Sequence, residues 1–550
     1  MGNNDQNTQS AGSQEALVDD DTKSQNTQDE SSIKSSRALA ASLVSQCRNL
    51  LDEIDTLQSM LSRTLRNPQL VEVRSLRSNV LSELRMLEKL AGKINTVTAA
   101  TSAEDGDGPE LRLLHALRSS NLPFYEAVWN IAKNTCTGLV AFGKRFYWDG
   151  AAGAGEGGKG WTKKRPSQDV RKSVFVDIVA DNGEEWVKVS TISETRLLFE
   201  MAKKGWEADS DDDEEGEERT VLRNYDNDEY DSGDDDDDEV ELIKLAGDMR
   251  KAANATRVRY KHPRLRFVIP KIEEGQCPEI DDLLKVVRDY GIIVSCGGDI
   301  AKTQAVNGDE PKDAAVQEDS LAHLLPNHFA QFTPVLNVDC TLLLAAVSDL
   351  SHYKAVVLSA NHHKAIFRQV EVEKQRPLLP TELWPAMTGH ELICTTEAAR
   401  RMREIVDTIG TDAEKKRAEL LMGHPPYEDC DVTSLLHKFQ ELSDYEVPSG
   451  WRIPIKTVES KSVIESATDQ GILPPVSHQV AGILSDINYS VFMYGWVTGV
   501  TTISSNRTVV KQIESTIEEH RNGDEDLEGP LVWVCDTARS LAGKDKDRRV

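Results

Sequence analysis

The chain has 550 residues and a formal net charge of −28 at pH 7, long enough for two or three domains with a sizeable core. Twenty acidic residues fall between Glu207 and Glu241 against only Arg219 and Arg223, a local net charge of −18 that leaves about −10 for everything else. The acidic excess works against general nucleic-acid affinity, yet KKRPSQDVRK (163–172) and RVRYKHPRLR (257–266) keep a basic local sign as candidate phosphate contacts. The eight cysteines, at 47, 136, 277, 296, 340, 394, 430 and 535, show no CxxC spacing. Several sit in apolar runs, which predicts buried free thiols in a reducing compartment. No apolar run approaches ~18 residues and the N-terminus is polar, so neither a membrane span nor secretion is expected. Gln6 stands where myristoylation of a Met-Gly start wants Ser or Thr. The expected location is cytoplasmic or nuclear.

Residues 1–36 carry Asn, Gln, Ser, Asp and Thr with almost nothing to bury, which predicts disorder. From Leu39 to Leu61, and again from Val73 to Ile94, apolar residues recur every three or four positions. The two stripes, broken at Asn67-Pro68, predict a coiled-coil-like helical hairpin over 37–98. Residues 109–300 then read as an α/β domain. It contains a helix over about 110–135, a Gly-rich insertion (151–164) and a hairpin of SVFVDIVA and EEWVKVS about Asp181-Asn182-Gly183. A helix (193–204), a disordered acidic loop (207–239), a helix (240–253), the strand LRFVIP, a helix (278–289) and the strand GIIVSC complete it. In the acidic loop, Ser210 and Ser232 precede runs of acids and suit an acid-directed kinase. A linker (301–320) leads to a C-terminal domain over 321–545.

Within the first domain two motifs invite chemistry and fall short of it. Gly153 to Lys159 has the bare GxxxxGK spacing, but Gly160 follows where magnesium needs Ser or Thr. In the hairpin, Asp177 with Trp186-Val-Lys188 has a Trp where a metal-dependent nuclease needs an acid, so a core Trp and a solvated Lys are expected. His362-His363 reads as a polar turn.

The C-terminal domain repeats one local design three times, an apolar strand that ends on a polar side chain and runs into an apolar-striped helix. The copies are VLNVDCTLLLAAVSDL (335–350), ELICTTEAARRMREIVDTIG (391–410) and GVTTISSNRTVVKQIE (499–514). Parallel pairing of these strands puts Asp339, Glu397 and Asn506 on one carboxyl edge, where open α/β folds place their sites. Converging oxygen ligands there suit Mg²⁺ or Mn²⁺. Taken singly, Asp339 and Asn506 also serve as helix caps and Glu397 suits a first helical turn.

LNVDCTLLLAAVSDL resembles the first strand and helix of PIN-domain nucleases, ICTTEAARRMREI their second acidic element, and VTTISSNRTVV their late strand ending in Thr/Ser-x-Asn/Asp. More closely, the chain is similar to an uncharacterised eukaryotic family whose C-terminal part is the domain of unknown function numbered 1308. That similarity rests on VFVDIVADNGEEWVKV, LRFVIP with VVRDYGIIVSCGGDI, LNVDCTLLLAAVSDL, FMYGWVTGVTTISSNRTVVKQI and VWVCDTARSLAGK, and spans most of residues 37–545. The resemblance implies an α/β protein whose C-terminal domain is PIN-like with a parallel sheet. PIN domains cut RNA with acids on Mg²⁺ or Mn²⁺ and a metal-activated water. By that resemblance Asp339 matches the first acid and Glu397 the second, while Asn506 stands where an acid is common and amides occur. A Gly-x-Gly-Asp pattern expected before the late strand is replaced by Tyr494-Gly495-Trp496, which makes Asp486, twenty residues before Asn506, the substitute third acid. The implied site is thus eroded. The expectation is a scaffold, non-catalytic or weakly active, that binds RNA or protein. The alternative is a ribonuclease with Asp339, Glu397, Asp486 and Asn506 as catalytic residues and the first three on metal.

Overall fold

The computed structural model describes residues 19–65, 71–96, 109–148, 172–205, 239–297, 314–327, 329, 331–356, 363–535 and 539–543. The Gly-rich insertion, and the acidic loop up to 238 with Ser210 and Ser232, lie outside the described residues.

Helices α1 (Asp19–Thr64) and α2 (Arg74–Thr96) form the N-terminal hairpin. The stripe that predicts it is the face that packs, with Cys47, Leu50, Ile54, Leu57 and Leu61 of α1 buried against Leu76, Val80, Leu87 and Ile94 of α2. Helix α1 starts at Asp19, inside the segment expected to be disordered. Once a packed helix is nucleated each added residue costs little, so a helix can extend into a polar segment. The single helix expected over 110–135 is two, α3 (Pro109–Arg118) and α4 (Leu122–Thr135). The break is held by Glu83, whose carboxylate accepts from Ser120 Oγ at 2.7 Å and from the Asn121 amide at 3.0 Å, and Pro123 restarts the helix in its first turn.

A five-stranded sheet of order β1-β2-β3-β4-β5 follows. Strands β1 (Ala141–Trp148), β2 (Lys172–Ala180) and β3 (Glu185–Val189) are antiparallel neighbours, and β4 (Arg264–Ile269) and β5 (Ile292–Cys296) continue parallel to β3. Strand β1 has no counterpart in the sequence reading. Its middle, Lys144 to Tyr147, is largely exposed, which erases the alternation that marks a strand. The β2–β3 turn is the expected one, with Asp181, Asn182 and Gly183 at φ of 49°, 55° and 104°. Trp186 is buried and stacks on Phe146 with ring centroids 3.6 Å apart. Lys188 is not solvated as expected. The pairing of Ile178 with Val187 sets Lys188 opposite Asp177, and its Nζ lies 3.1 Å from the buried carboxylate, with the lysine side chain 18% exposed. Asp177 also accepts from the Val189 amide at 2.8 Å. Helices α1–α4 cover one face of the sheet, and α5 (Glu194–Lys203), α6 (Glu241–Asn254) and α7 (Pro278–Asp289) the other. The expected linker holds α8 (Ala314–Leu321), whose Leu321 packs with Leu324 in the N-terminal core, so apolar contact continues past residue 320.

The second sheet has order β10-β9-β6-β7-β8 and is parallel throughout. Central β6 (Val335–Val338) lies between β7 (Glu391–Thr395) and β9 (Thr501–Ser504), with β8 (Lys456–Val458) and β10 (Val532–Val534) at the edges. Both faces are buried, as parallel sheets require. Leu336, Val338, Leu392 and Cys394 join one cluster with α9 (Cys340–Val347), α11 (Thr396–Ile409) and α12 (Asp412–Met422), whereas Ile393 joins another with α13 (Arg507–Glu519) and the helical stretch 486–498. Helix α10 (Lys364–Gln375) is capped by His363, whose Nδ1 accepts from the Ala365 amide, so this histidine does local work. The tail returns to this body: Arg539 is ion-paired with buried Glu373 at 2.5 Å, and the Ala542 amide donates to Glu414 at 2.8 Å. None of the eight cysteines is in a disulfide, and six of them are buried.

A basic loop joins the two bodies. Val258 and Lys261 pair around Arg259 and Tyr260, both at positive φ, in the α6–β4 connection. Arg257 meets Glu518 at 3.1 Å and Glu525 at 2.5 Å, Lys261 meets Glu528 at 2.6 Å, and His262 Nε2 meets Glu525 at 2.9 Å. Between these pairs Tyr260 inserts against Ile517 and Gly529. A Cβ on Gly529 would lie 2.3 Å from the Tyr260 ring.

Candidate functional site

The three strand-to-helix units meet as the spacing predicts. Asn337 of β6 is level with Ile393 of β7 and Thr502 of β9, so Asp339, Thr395 and Ser504 end their strands side by side at the carboxyl edge. Glu397 and Asn506 stand two residues beyond, in the turns that open α11 and α13.

Asp339 is only 2% exposed. It occupies the N-cap position of α9 without a side-chain cap bond, and its Oδ2 instead accepts from Ser504 Oγ at 2.6 Å and from Thr341 Oγ1 at 2.7 Å. Ser504 Oγ in turn accepts from the Asn506 amide at 3.0 Å, and Thr341 Oγ1 from the Ser505 amide at 3.3 Å. The carboxylate thus pins the β6 and β9 turns together. Burial pushes the Asp339 carboxyl above its ordinary range, opposed by these two hydroxyls and by the first amides of α9. The same burial, with the Asp339 charge beside it, raises the Cys340 thiol to about 12, so it is no nucleophile at neutral pH.

Glu397 is half-buried in the first turn of α11, where negative charge is favoured, and accepts from the buried Ser460 hydroxyl at 2.9 Å. The cap of that helix is Thr395, which accepts from the Ala398 amide. Asn506 caps α13 by accepting from the Val509 amide at 3.4 Å, its structural role in the sequence reading. Asp486 is exposed at the start of the stretch 486–498. One turn on, Ser490 Oγ lies 3.2 Å from Thr395 Oγ1, which anchors that end of the stretch at the carboxyl edge. Among the described residues no group of three His, Cys, Asp or Glu side chains could hold a metal ion.

Tyr494-Gly495-Trp496 lies elsewhere. The Val491 carbonyl accepts from Asn337 Nδ2 at 2.9 Å, and Gly495 sits so close to Thr502 that a Cβ would lie 2.1 Å from its hydroxyl. The stretch therefore runs back across the sheet, and residue 496 is about 9 Å of helix beyond Ser490. Trp496 fills a packing position away from the carboxyl edge, not a vacated acid position.

Residues 336–439 match the family described as a protein of unknown function, DUF1308. The DUF1308 segment runs from β6 to the end of the helix Val432–Gln440 and carries Asp339 and Glu397, whereas Asp486 and Asn506 fall outside it. No solved structure matches the chain. The same segment holds a buried polar network absent from the sequence reading. Arg417 is fully buried and donates to Asp349 at 2.6 Å and to the carbonyls of Val347 and Leu442. Thr411 and Glu414 form a capping box that also reaches Asp349 through Thr411 Oγ1 and the Asp349 amide. His352, buried beside Arg417, is held neutral, its pKa far below the usual histidine value through loss of solvent and the nearby guanidinium. Ser504 was within reach of the sequence, being the Ser of the Ser-x-Asn ending; Arg417 and Ser460 carry no motif that marks them.

Proposed function

We propose that the C-terminal domain is a PIN-like scaffold, non-catalytic or at most weakly active, that binds RNA or protein. One observation carries this reading. The Asp339 carboxylate is spent internally, buried and holding two hydroxyls that fasten neighbouring turns. A catalytic metal ligand must present its oxygen to a cavity, and Mg²⁺ or Mn²⁺ needs several such oxygens around one point. Asp339 faces hydroxyl donors, Glu397 is engaged by Ser460, and Asp486 is exposed. These residues do not fit a three-acid divalent-metal site.

The test is thermal unfolding of the full chain with and without Mn²⁺, beside incubation with labelled single-stranded RNA. A metal bound at 100 times its dissociation constant stabilises by about 2.7 kcal/mol. The expected results are no Mn²⁺-dependent rise in Tm and intact RNA. A rise lost in both Asp339→Asn and Glu397→Gln, with RNA cleavage lost in the same variants, would replace the scaffold by the ribonuclease.

A further inference from the structure

The N-terminal body carries a surface that the C-terminal site does not use. Among the described residues, strands β1 and β2 leave an aromatic pair on an uncovered part of the sheet: Tyr147 is 56% exposed and Phe175 37% exposed. The helical hairpin covers this face only as far as Gly143, where a Cβ would touch both Phe175 and Ser75 of α2. Cations flank the Phe175 ring, with Arg145 5.6 Å and Lys188 5.5 Å from its centroid.

Lys188 leads directly into a cavity of about 430 Å³ at the carboxyl ends of β3 and β4. Its wall includes Ser190 and Thr191 from the loop entering α5, Arg196 of α5, and Lys271 after β4. Arg196 and Lys271 are exposed and make no ion pair among the described residues. One turn along α5 from Arg196, Phe199 is 73% exposed. Phe124 lines both this cavity and the small hollow under Phe175, so platform and cavity form one continuous surface.

Exposed aromatic rings interleaved with cations match the chemistry of a single nucleic-acid strand, whose bases stack while its phosphates meet Lys and Arg. A duplex hides its base faces, and an acidic peptide meets the cations but supplies no regular succession of flat π faces to stack on the rings. Glu200 and Glu241 add carboxylates to the cavity wall; Glu200 is taken up by the Glu241 amide at 2.7 Å, which leaves the Glu241 carboxylate as an acceptor for a ribose 2′-hydroxyl that deoxyribose lacks. We propose that this face binds single-stranded RNA, with bases on Phe175 and Tyr147 and phosphates toward Arg196 and Lys271. The proposal places an RNA strand on the N-terminal body of the same chain and rests on the scaffold reading of the C-terminal domain only for the strand remaining uncut.

Fluorescence anisotropy of the full chain with a labelled 12-nucleotide oligouridylate tests it. Phe175→Ala and Tyr147→Ala are each expected to weaken binding about 5- to 100-fold, the loss of roughly one stacked base. The double variant Arg196→Glu with Lys271→Glu is expected to weaken it further and to flatten its salt dependence, by about 0.7 in log–log slope for each phosphate the variant no longer neutralises. Tyr147 is the more exposed ring, so it keeps the test open if Phe175→Ala fails to fold. Unlabelled oligodeoxyuridylate, duplex RNA and a phosphopeptide serve as competitors, each expected to displace the probe more weakly than oligouridylate. Absence of binding, unchanged affinity in the aromatic variants, or equal displacement by the phosphopeptide would overturn the RNA surface; equal displacement by the deoxy strand would overturn RNA as its ligand. Cleavage of the probe in Mn²⁺ would instead overturn the scaffold reading and leave the surface standing.

Discussion

Ser504→Ala tests whether Asp339 is an internal fastener. The substitution removes a hydroxyl that donates to Asp339 Oδ2 at 2.6 Å and accepts from the Asn506 amide at 3.0 Å. A hydrogen bond to a charged group contributes about 1.5–3 kcal/mol, and leaving a part-buried amide without its acceptor costs about 1 kcal/mol. The expected loss is therefore about 2.5–4 kcal/mol. With Asp339→Asn already in place the bond removed is neutral and contributes about 0.5–1.5 kcal/mol, so Ser504→Ala should cost about 1–1.5 kcal/mol less there, the coupling that a double-mutant cycle isolates. Hydrogen exchange of peptides spanning 335–347 and 500–510 reads the opening free energy of this edge even if the two bodies unfold separately. A cost below about 0.5 kcal/mol, or an equal cost in both backgrounds, would show that Ser504 does not hold Asp339, and the fastener account would fail.

Asp339→Asn alone carries a pH signature. The folded carboxyl titrates above its unfolded value, so its contribution is fully present below the ordinary aspartate range and is lost as pH rises through the folded value. Urea denaturation from pH 4.5 to 7.5 is expected to show the variant gaining on the parent as pH rises; a gain on acidification would contradict the burial argument. Arg417→Met should destabilise the C-terminal body by about 3–5 kcal/mol, because Asp349 is left as an unpaired buried charge, and Asp349→Asn in the same chain should recover part of that loss. Trp186→Phe should remove blue-shifted tryptophan emission; loss of a red-shifted, solvent-exposed component would mean that the β3 faces are reversed.

Much of the fold is legible where local and tertiary signals coincide. The stripes of α1 and α2, the Asp181-Asn182-Gly183 turn and the three strand-to-helix units follow from periodicity and turn chemistry, and the shared edge of Asp339, Glu397 and Asn506 follows from parallel pairing. Strand β1 was not legible, since only part of it buries a face and its partner β2 begins at Lys172. Nor was the role of Asp339. A sequence places it at a strand end but does not tell whether its carboxylate turns outward to a ligand or inward to Ser504 and Thr341, which are 165 and 2 residues away. Trp496 misleads for a similar reason: counting residues back from the late strand ignores that the intervening helix runs away from the edge.

The basic loop between the bodies works as a joint with two components of different character. Its ionic component, Arg257 and Lys261 against Glu518, Glu525 and Glu528, has its glutamates at the surface, where added salt screens them within about 8–10 Å at physiological strength. Its other component, Tyr260 wedged against Ile517 and Gly529, is apolar contact and insensitive to ions. Rising ionic strength is therefore expected to weaken the ionic part of this contact while leaving its apolar part in place. The contact thus combines a part that salt weakens with a part that it does not, and if the proposed RNA surface holds, its placement relative to the C-terminal edge rests on both.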